Sequence, residues 1–481
     1  MKIVTILFFL TITTAVLRGQ DTTILTLAQV VEMAKMQSIA ARQAATTKET
    51  RYWEYRTFQS NYKPQLVLNG NLPAYSRAFR EVLQPDGRIL FQPVQNNNSA
   101  LNLALQQNIT RTGGTIYANT VLQRFDDFDR KNTLYNGTLF AVGLEQPLFK
   151  FNPLKWDKQI EPLKYRESQQ EFLEEMERIA LKANELYFDL LLAQVNLKIS
   201  ATNLKNTEGI LRIANEKFEL GKVSRNEILQ LKLELLKSQK AVATAQRDLE
   251  ISTLNLKSFI GSNQSQVLKL IEPEPQNPPS VSATKLLAEA FDNRSDAIAF
   301  GRRLMEADRM IAKAKGDNGI NANLVANLGF SNSAPTVSEV VKSPKNYQDI
   351  QILFSVPIID WGRSQSRIKT AEAQRQLTQY AVEQDKQTFQ QAIFTQVTLF
   401  EMLKNQLALT KNADEIASEK YQIAQERYVL GNLSITDLSI AFAEKDQAKR
   451  DFIGVLRDYW AAFYRLRWLT LYDFEKGEKI R

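Results

Sequence analysis

The chain contains no cysteine and no histidine in 481 residues. The first absence excludes disulfides, thiol chemistry, cysteine metal sites and a lipidated N-terminal cysteine, and it is compatible with an oxidising compartment. The second removes the commonest general base and the commonest metal ligand. Carboxylate or Ser/Lys chemistry would remain, but no paired motif for either occurs. No catalytic residue, metal site or cofactor is therefore expected. A third scarcity is the long apolar run. The opening MKIVTILFFLTITTAVLRGQ carries one early lysine and an apolar stretch from Ile3 to Leu17, and it reads as a secretory signal over 1–20. Such a stretch is short for a membrane anchor, and no later window is long enough for a transmembrane helix. Entry into a membrane would have to use β-strands.

Formal net charge is +8. The basic residues are interleaved with acidic ones, as in KYRESQQEFLEEMER (164–178). This is the pattern of solvated helix faces rather than of a nucleic-acid patch, so no nucleic-acid partner is expected.

What the chain does have is a repeat of fixed spacing. Pro147 of EQPLFKFNP and Pro357 of SVPIIDWGR are 210 residues apart, and so are Gly221 and Gly431. EMAKMQS (32–38) aligns more weakly with EAFDNRS (289–295), at an offset of 257, so the first copy holds about 47 extra residues before its proline. Between the copies lies IEPEPQNPPS (271–280), too rich in proline for a regular element. These signals divide the chain into a first repeat over 21–268, a linker over 269–281 and a second repeat over 282–481.

Each repeat places one long helix between its proline and its glycine. Phe172, Met176, Ile179, Ala183, Leu186 and Leu190 open an alternating 4,3 spacing that runs to Phe218, interrupted at Ser200 and Thr207. Val382, Phe389, Ile393, Phe400, Leu403 and Leu407 open the second, which runs to Tyr428 with interruptions at Lys386, Gln396, Thr410 and Asp414. A sustained 3.5-residue period is the coiled-coil signal, and such a helix needs a partner along its length. The returning segments would supply it, giving hairpins over 158–258 and 362–468. The segments before each proline alternate with period two. Examples are QLVLNGNL (65–72), LNLALQQNI (101–109), TLFAVGLEQ (138–146), NLVANLGFS (323–331) and DIQILFSVP (349–357). Strands are expected within 64–149 and 320–358. Their length and alternation fit a membrane β-barrel wall or an ordinary hairpin on a soluble core, and the secretory segment favours the wall. Two strands per repeat make four per chain, too few to enclose a lumen, which implies a symmetric oligomer. A further pair, 101–109 with 115–125 around RTGG (111–114), either joins the wall or extends a surface loop.

The far ends of the long helices carry KFELGKVSRNEIL (217–229) and RYVLGNLSITDL (427–438). Gly221 and Gly431 suit the left-handed position past a helix end, and Ser224 and Ser434 suit the next N-cap. Glu227 and Asp437 complete capping boxes, while Val223 with Ile228 and Leu433 with Leu438 suit hydrophobic staples. Each copy is thus a tight reversal, at 219–225 and 429–435. The two acids have two readings: cap residues only, or acids set at the end of a pore.

Strand, proline, long helix, F/Y-x-x-G-x-x-S-x-x-D/E, helix, written twice behind a signal segment, resembles the TolC-type outer membrane factor (outer membrane efflux protein) family. VPIIDWGR is similar to the family's strand-to-helix signature, and RYVLGNLSITDL to its periplasmic tip motif. The resemblance covers nearly the whole mature chain. It implies an α+β membrane protein and a homotrimer embedded in outer-membrane lipid. Twelve strands would form one shared β-barrel, and twelve helices a periplasmic α-barrel with the linker in its equatorial region. It implies a passive exit duct of a tripartite efflux pump or a type I secretion system, opened when a periplasmic adaptor and an inner-membrane transporter dock. Carried over by position, Asp437, Glu227 and Tyr428 would form the periplasmic gate, with Tyr428 linked to Glu227. Gly221, Lys222, Ser224, Gly431, Asn432 and Ser434 would form the tip turns and the adaptor dock. Pro147, Pro357, Trp361 and Gly362 would mark the strand-to-helix transitions. Ile440 stands where some relatives have a second acid, and Leu433 where some have a basic residue of the closed-state lock. The alternative, a periplasmic coiled-coil adaptor or structural protein, is set against the presence of two hairpins, since adaptors usually carry one.

Overall fold

The structure is a computed structural model that describes residues 22–262, 267–275 and 282–481; the signal segment 1–20 and the linker residues 276–281 lie outside the described residues. In chain order it contains β1 (Thr22–Leu25), α1 (Leu27–Gln37), α2 (Ile39–Ser60), β2 (Gln65–Asn71), β3 (Tyr75–Leu83), β4 (Ile89–Ile109), β5 (Gly114–Asp127), β6 (Asn132–Leu148), α3 (Pro153–Glu219) and α4 (Arg225–Ile260). A short β7 (Val267–Leu270) precedes α5 (Ala283–Asn293), α6 (Ser295–Asp317), β8 (Asn321–Ala334), α7 (Val337–Lys342), β9 (Lys345–Ser355), α8 (Arg363–Val429), α9 (Ile435–Thr470), β10 (Tyr472–Asp473) and β11 (Glu478–Lys479). The repeat is carried into the helices to the residue. The long helices α3 and α8 each have 67 residues and the returning α4 and α9 each have 36. Among the described residues no helix is long and apolar enough to cross a membrane.

The described residues fall into two compact units: those up to Thr47 with Glu171–Arg294 and Gln390–Arg481, and Lys48–Gln170 with Ser295–Phe389. The first is built on the helices. Its core gathers Ile179, Ala183, Leu190, Ile393, Phe400, Leu403 and Leu407 from the predicted seams, joined by Leu456, Tyr459, Phe463 and Leu466 of α9. Several polar interruptions of the seams find partners on the returning helix. Thr207 lies 3.5 Å from the Ser238 hydroxyl, Gln396 donates to the Ala462 carbonyl at 3.4 Å, and Asp414 pairs with Lys449 at 3.3 Å. Residues 267–270, the end of the first repeat and the start of the linker, pair in parallel with β1, and Gln194 of α3 bonds both Leu268 and Leu270.

The second unit is built on one antiparallel sheet in the order β2-β4-β5-β6-β8-β9, with β3 pairing onto the upper part of β4. This corrects the expected count of two strands per repeat. The first repeat contributes β2, β4, β5 and β6 along the sheet and the second contributes β8 and β9. The pair around RTGG is β4 and β5, and it belongs to the sheet, with Ile109 opposite Gly114 beside its turn. Two further bounds shift. α3 starts at Pro153 rather than 158, because Asn152 accepts from the Lys155 amide at 3.2 Å and proline at the first helical position loses nothing. Pro147 sits inside β6, opposite Asn323, rather than after the strand. It lies past the last β5 rung, Thr115 with Glu145, so its missing N–H breaks no ladder there.

The two repeats meet in the sheet at β6 and β8, where Ala141 faces Gly329. A Cβ on Gly329 would fall 2.2 Å from the Phe140 carbonyl oxygen and 2.6 Å from the Ala141 Cα, contacts that only backbone movement relieves. Gly329→Ala is therefore expected to weaken the β6–β8 seam by about 1–3 kcal/mol. Gly301→Ala, at an exposed helical position with nothing within 4 Å, should gain up to about 1 kcal/mol. Heat-dependent mobility of the purified protein on SDS gels reads both. A Gly329→Ala transition at or above that of the parent would show that the seam is not this close.

Candidate functional site

The two reversals between long and returning helices have the same hydrogen-bond plan. In the first, the Gly221 amide donates to the Phe218 carbonyl and the Lys222 amide to the Lys217 carbonyl, each at 2.9 Å. In the second, Gly431 donates to Tyr428 at 3.0 Å and Asn432 to Arg427 at 2.9 Å. These paired bonds close a helix C-terminus through a left-handed residue. Gly221 and Gly431 occupy it at φ +69° and +82°. Beyond the turn, the Glu227 amide donates to the Ser224 hydroxyl at 3.3 Å, and the Ser224 amide donates to the Glu227 carboxylate at 2.7 Å. The second turn keeps half of this box. The Asp437 amide donates to Ser434 Oγ at 3.1 Å, but the shorter carboxylate accepts from the Ser434 hydroxyl at 2.6 Å instead of from the backbone amide.

The turns rest on a shared apolar floor. Ala424, Tyr428, Leu438 and Ala441 form one cluster and Ala214, Ile228 and Leu231 another, with Ile210 and Ile435 packed against both. All four helix ends are thus tied together within one chain. Leu433 belongs to this floor, which gives an apolar role to the position where some relatives carry a basic residue. Ile440 is half exposed.

The expected link between Tyr428 and Glu227 is not a hydrogen bond among the described residues. The Glu227 carboxylate is held by Ser224, whose backbone and hydroxyl bonds keep it below the ordinary glutamate range. Tyr428 is buried to 9% exposure in the floor, with the Lys217 ammonium 5.4 Å from its ring centre. Burial first, and the nearby Glu227 charge second, push its hydroxyl above the ordinary tyrosine value, so it stays neutral. Asp437 is exposed, as are Lys222 and Asn432 beside the glycines.

One step in from the floor lies a polar layer that the sequence pattern does not reveal. Asn206 of α3 donates to the Tyr421 hydroxyl of α8 at 2.9 Å, Asn203 bonds Asp446 of α9, and the Lys445 ammonium sits 4.5 Å above the Tyr421 ring. It borders a cleft of roughly 290 Å³. The hydrogen-bonded partners are more than 200 residues apart, so no local signal announces them.

The strand-to-helix transition in the second unit is organised by Asp360, another residue the pattern leaves unmarked. Its carboxylate accepts from the Gly362 amide at 3.0 Å and the Ser364 amide at 2.9 Å. Trp361 and Gly362 both take positive φ, +53° and +83°, and the Trp361 side chain is 95% exposed. Pro357 lies between β9 and this turn, among exposed Ile358 and Ile359.

Doubled helical hairpins joined to an antiparallel sheet with one apolar face define the class of outer-membrane channel proteins. The family model described as outer membrane efflux protein matches residues 90–262 and 321–470, and the chain belongs to that family. Membership places it in the cell outer membrane, extending into the periplasm, as a channel for efflux. Solved structures agree in fold. The outer membrane channel CmeC of Campylobacter jejuni is 17% identical with a TM-score of 0.65, over 94% of this chain and 86% of that one. The outer membrane protein VceC of Vibrio cholerae is 14% identical with a TM-score of 0.64, over 95% and 97%. The open state of the MtrE channel of Neisseria gonorrhoeae is 15% identical with a TM-score of 0.62, over 94% and 90%. No curated protein matches the chain in sequence.

Because the folded-state Glu227 carboxyl is held below its unfolded value, its contribution is fully present above the unfolded glutamate pKa, about 4.3, and is lost as pH falls through the folded one. Amide exchange at 225–228 should therefore quicken on acidification beyond its intrinsic pH trend. Glu227→Gln keeps an acceptor at this position and should abolish that extra dependence, while Ser224→Ala should weaken the turn by about 1 kcal/mol at every pH. An unchanged pH response in Glu227→Gln would remove the carboxylate from the capping box.

Proposed function

We propose that the protein is the exit duct of a tripartite efflux pump or a type I secretion system. It acts as a homotrimer and passive conduit, opened at its periplasmic tip when a periplasmic adaptor and an inner-membrane transporter dock. The observation that carries this reading is the doubled turn with one shared apolar floor: it gives each chain a rigid two-hairpin end that repeats around a three-fold ring. Gly221, Lys222, Ser224, Gly431, Asn432 and Ser434 form the docking surface, with the two glycines fixing its backbone shape. Asp437, Glu227 and Tyr428 form the gate. The exposed Asp437 carboxylate, in three copies, makes a negative constriction that binds cations. Exposed Trp361, beside Ile358 and Ile359, meets the headgroup level of the outer-membrane lipid.

Tyr428 holds the closed state by packing rather than through its hydroxyl, which makes no hydrogen bond to Glu227. In planar bilayers Tyr428→Ala should raise conductance several-fold, by removing a ring from the floor, whereas Tyr428→Phe should stay near the parent. Asp437→Ala should weaken block by multivalent cations about tenfold. A monomer without conductance after extraction from outer membrane would sink the duct, and undiminished block in Asp437→Ala would remove that residue from the constriction.

A further inference from the structure

The sheet holds six strand paths, and one row crosses all of them: Gln65, Gln106, Tyr117, Gly143, Asn327 and Asp349, from β2, β4, β5, β6, β8 and β9 in turn. The row is polar and bonded. The Tyr117 hydroxyl passes over Gly143 and donates to Asn327 Oδ1 at 2.6 Å, and Asn327 donates onward to Asp349 at 3.4 Å. A Cβ on Gly143 would meet the Tyr117 ring at 2.3 Å, so the glycine is what lets the tyrosine cross. The neighbouring row is apolar from β2 to β8 and faces the other way, with Leu66, Leu105, Val142 and Leu328 aligned through Ala118; it ends at Gln348 on β9, where the next positions on that face, Ile350, Ile352 and Phe354, are apolar and exposed. The alternation is therefore continuous through β2 and β4. These strands have the same two faces, at the same height, as β6, β8 and β9.

Every pairing along the order is antiparallel, so β2 and β9 run in opposite directions at the two ends of the sheet. Neither has a partner on its outer side among the described residues. In hydrocarbon, a row of unpaired amides and carbonyls costs several kcal/mol per group. Six strands are too few to curl shut around a lumen. The outer edges fit each other, in direction and in facing, across two copies of the chain.

We propose that β2 of one copy pairs with β9 of the next, closing an eighteen-stranded wall rather than the twelve-stranded one the family resemblance implies. This rests on the trimer of the proposed duct. At the ordinary strand spacing and a tilt of roughly 40°, twelve strands give a backbone diameter of about 24 Å and eighteen about 35 Å. The outer-membrane end then has about twice the cross-section, lined largely by amide side chains such as Asn69, Asn102 and Asn119. Selection by size falls to the periplasmic end.

The absence of native cysteine makes the edge pairing directly testable. Leu66→Cys or Leu68→Cys on β2 is combined with Ile350→Cys, Ile352→Cys or Phe354→Cys on β9, all on the apolar face. Intact outer membranes are treated with a membrane-permeant oxidant, and assembly mass is measured in parallel. At least one combination should give covalent trimer at tenfold or more over either single variant. Links from β9 to Ile116→Cys on β5 instead, or a trimeric mass with no β2–β9 link in any combination, overturn the eighteen-stranded wall and leave the duct standing. A monomeric mass overturns both.

Discussion

A backbone amide in hydrocarbon has no water to bond, and that constraint governs the sheet from which the rest of this chain is organised. Each strand must be paired on both sides, and the sheet has two ends within one chain. One face must be apolar and the other must tolerate water, which sets the period-two alternation in β2, the lower part of β4, β5, β6, β8 and β9. The polar face is then free to carry Tyr117, Asn327 and Asp349, whose bonds knit β5 to β8 across Gly143. In the proposed trimer those open edges meet, and a symmetric ring suits a chain that presents the same helical hairpin twice.

That duplication explains why α3 and α8, and α4 and α9, match in length while the sheet does not divide evenly. A long helix must match its returning partner along a common seam, so an insertion there would throw every later contact out of phase. A sheet accepts an added hairpin at an edge without altering the register of the strands already present. The first repeat's excess residues are accordingly found in strands. The turns at Gly221 and Gly431 are held to one plan because a left-handed glycine and the paired carbonyl bonds leave little room for variation. Variation falls on side chains that the backbone bonds do not use, as in Lys222 against Asn432, and on the capping box, complete in one copy and half kept in the other.

What was legible in the sequence was what local chemistry dictates. Glycine, serine and acid at fixed steps specify the turns, and the structure ends α3 and α8 and starts α4 and α9 beside those residues. The 3.5-residue period located the seams, with Ile179, Leu190, Ile393 and Phe400 buried as expected. The misses have physical reasons. The expected hairpin start at 158 misses the first turn, where Pro153 serves as the first helical residue behind Asn152. β3 and the upper part of β4 carry Arg77, Arg80 and Pro93 in an irregular pattern, because they pair only with each other there, and Pro93 has no partner on its other side. The register that unites Tyr117 with Asn327 depends on β6 lying between them, which no alternation in either strand can state. Asp360 escaped notice because its work is to cap a turn at a tryptophan of positive φ, a conformation that residue type does not advertise.

The polar residues inside the helical bundle follow a different logic from those in the sheet. A coiled-coil seam made only of leucine and isoleucine would leave the relative height of its helices loosely set. Here Thr207 with Ser238 and Asp414 with Lys449 fix each long helix against its own return, while Asn206 with Tyr421 and Asn203 with Asp446 fix one hairpin against the other. The first kind sets the hairpin and the second sets the pair. Together with Ile210 and Ile435, which pack against both halves of the floor, Asn203, Asn206, Tyr421 and Asp446 hold the two hairpins of one chain to each other, so the tip is one rigid unit rather than two.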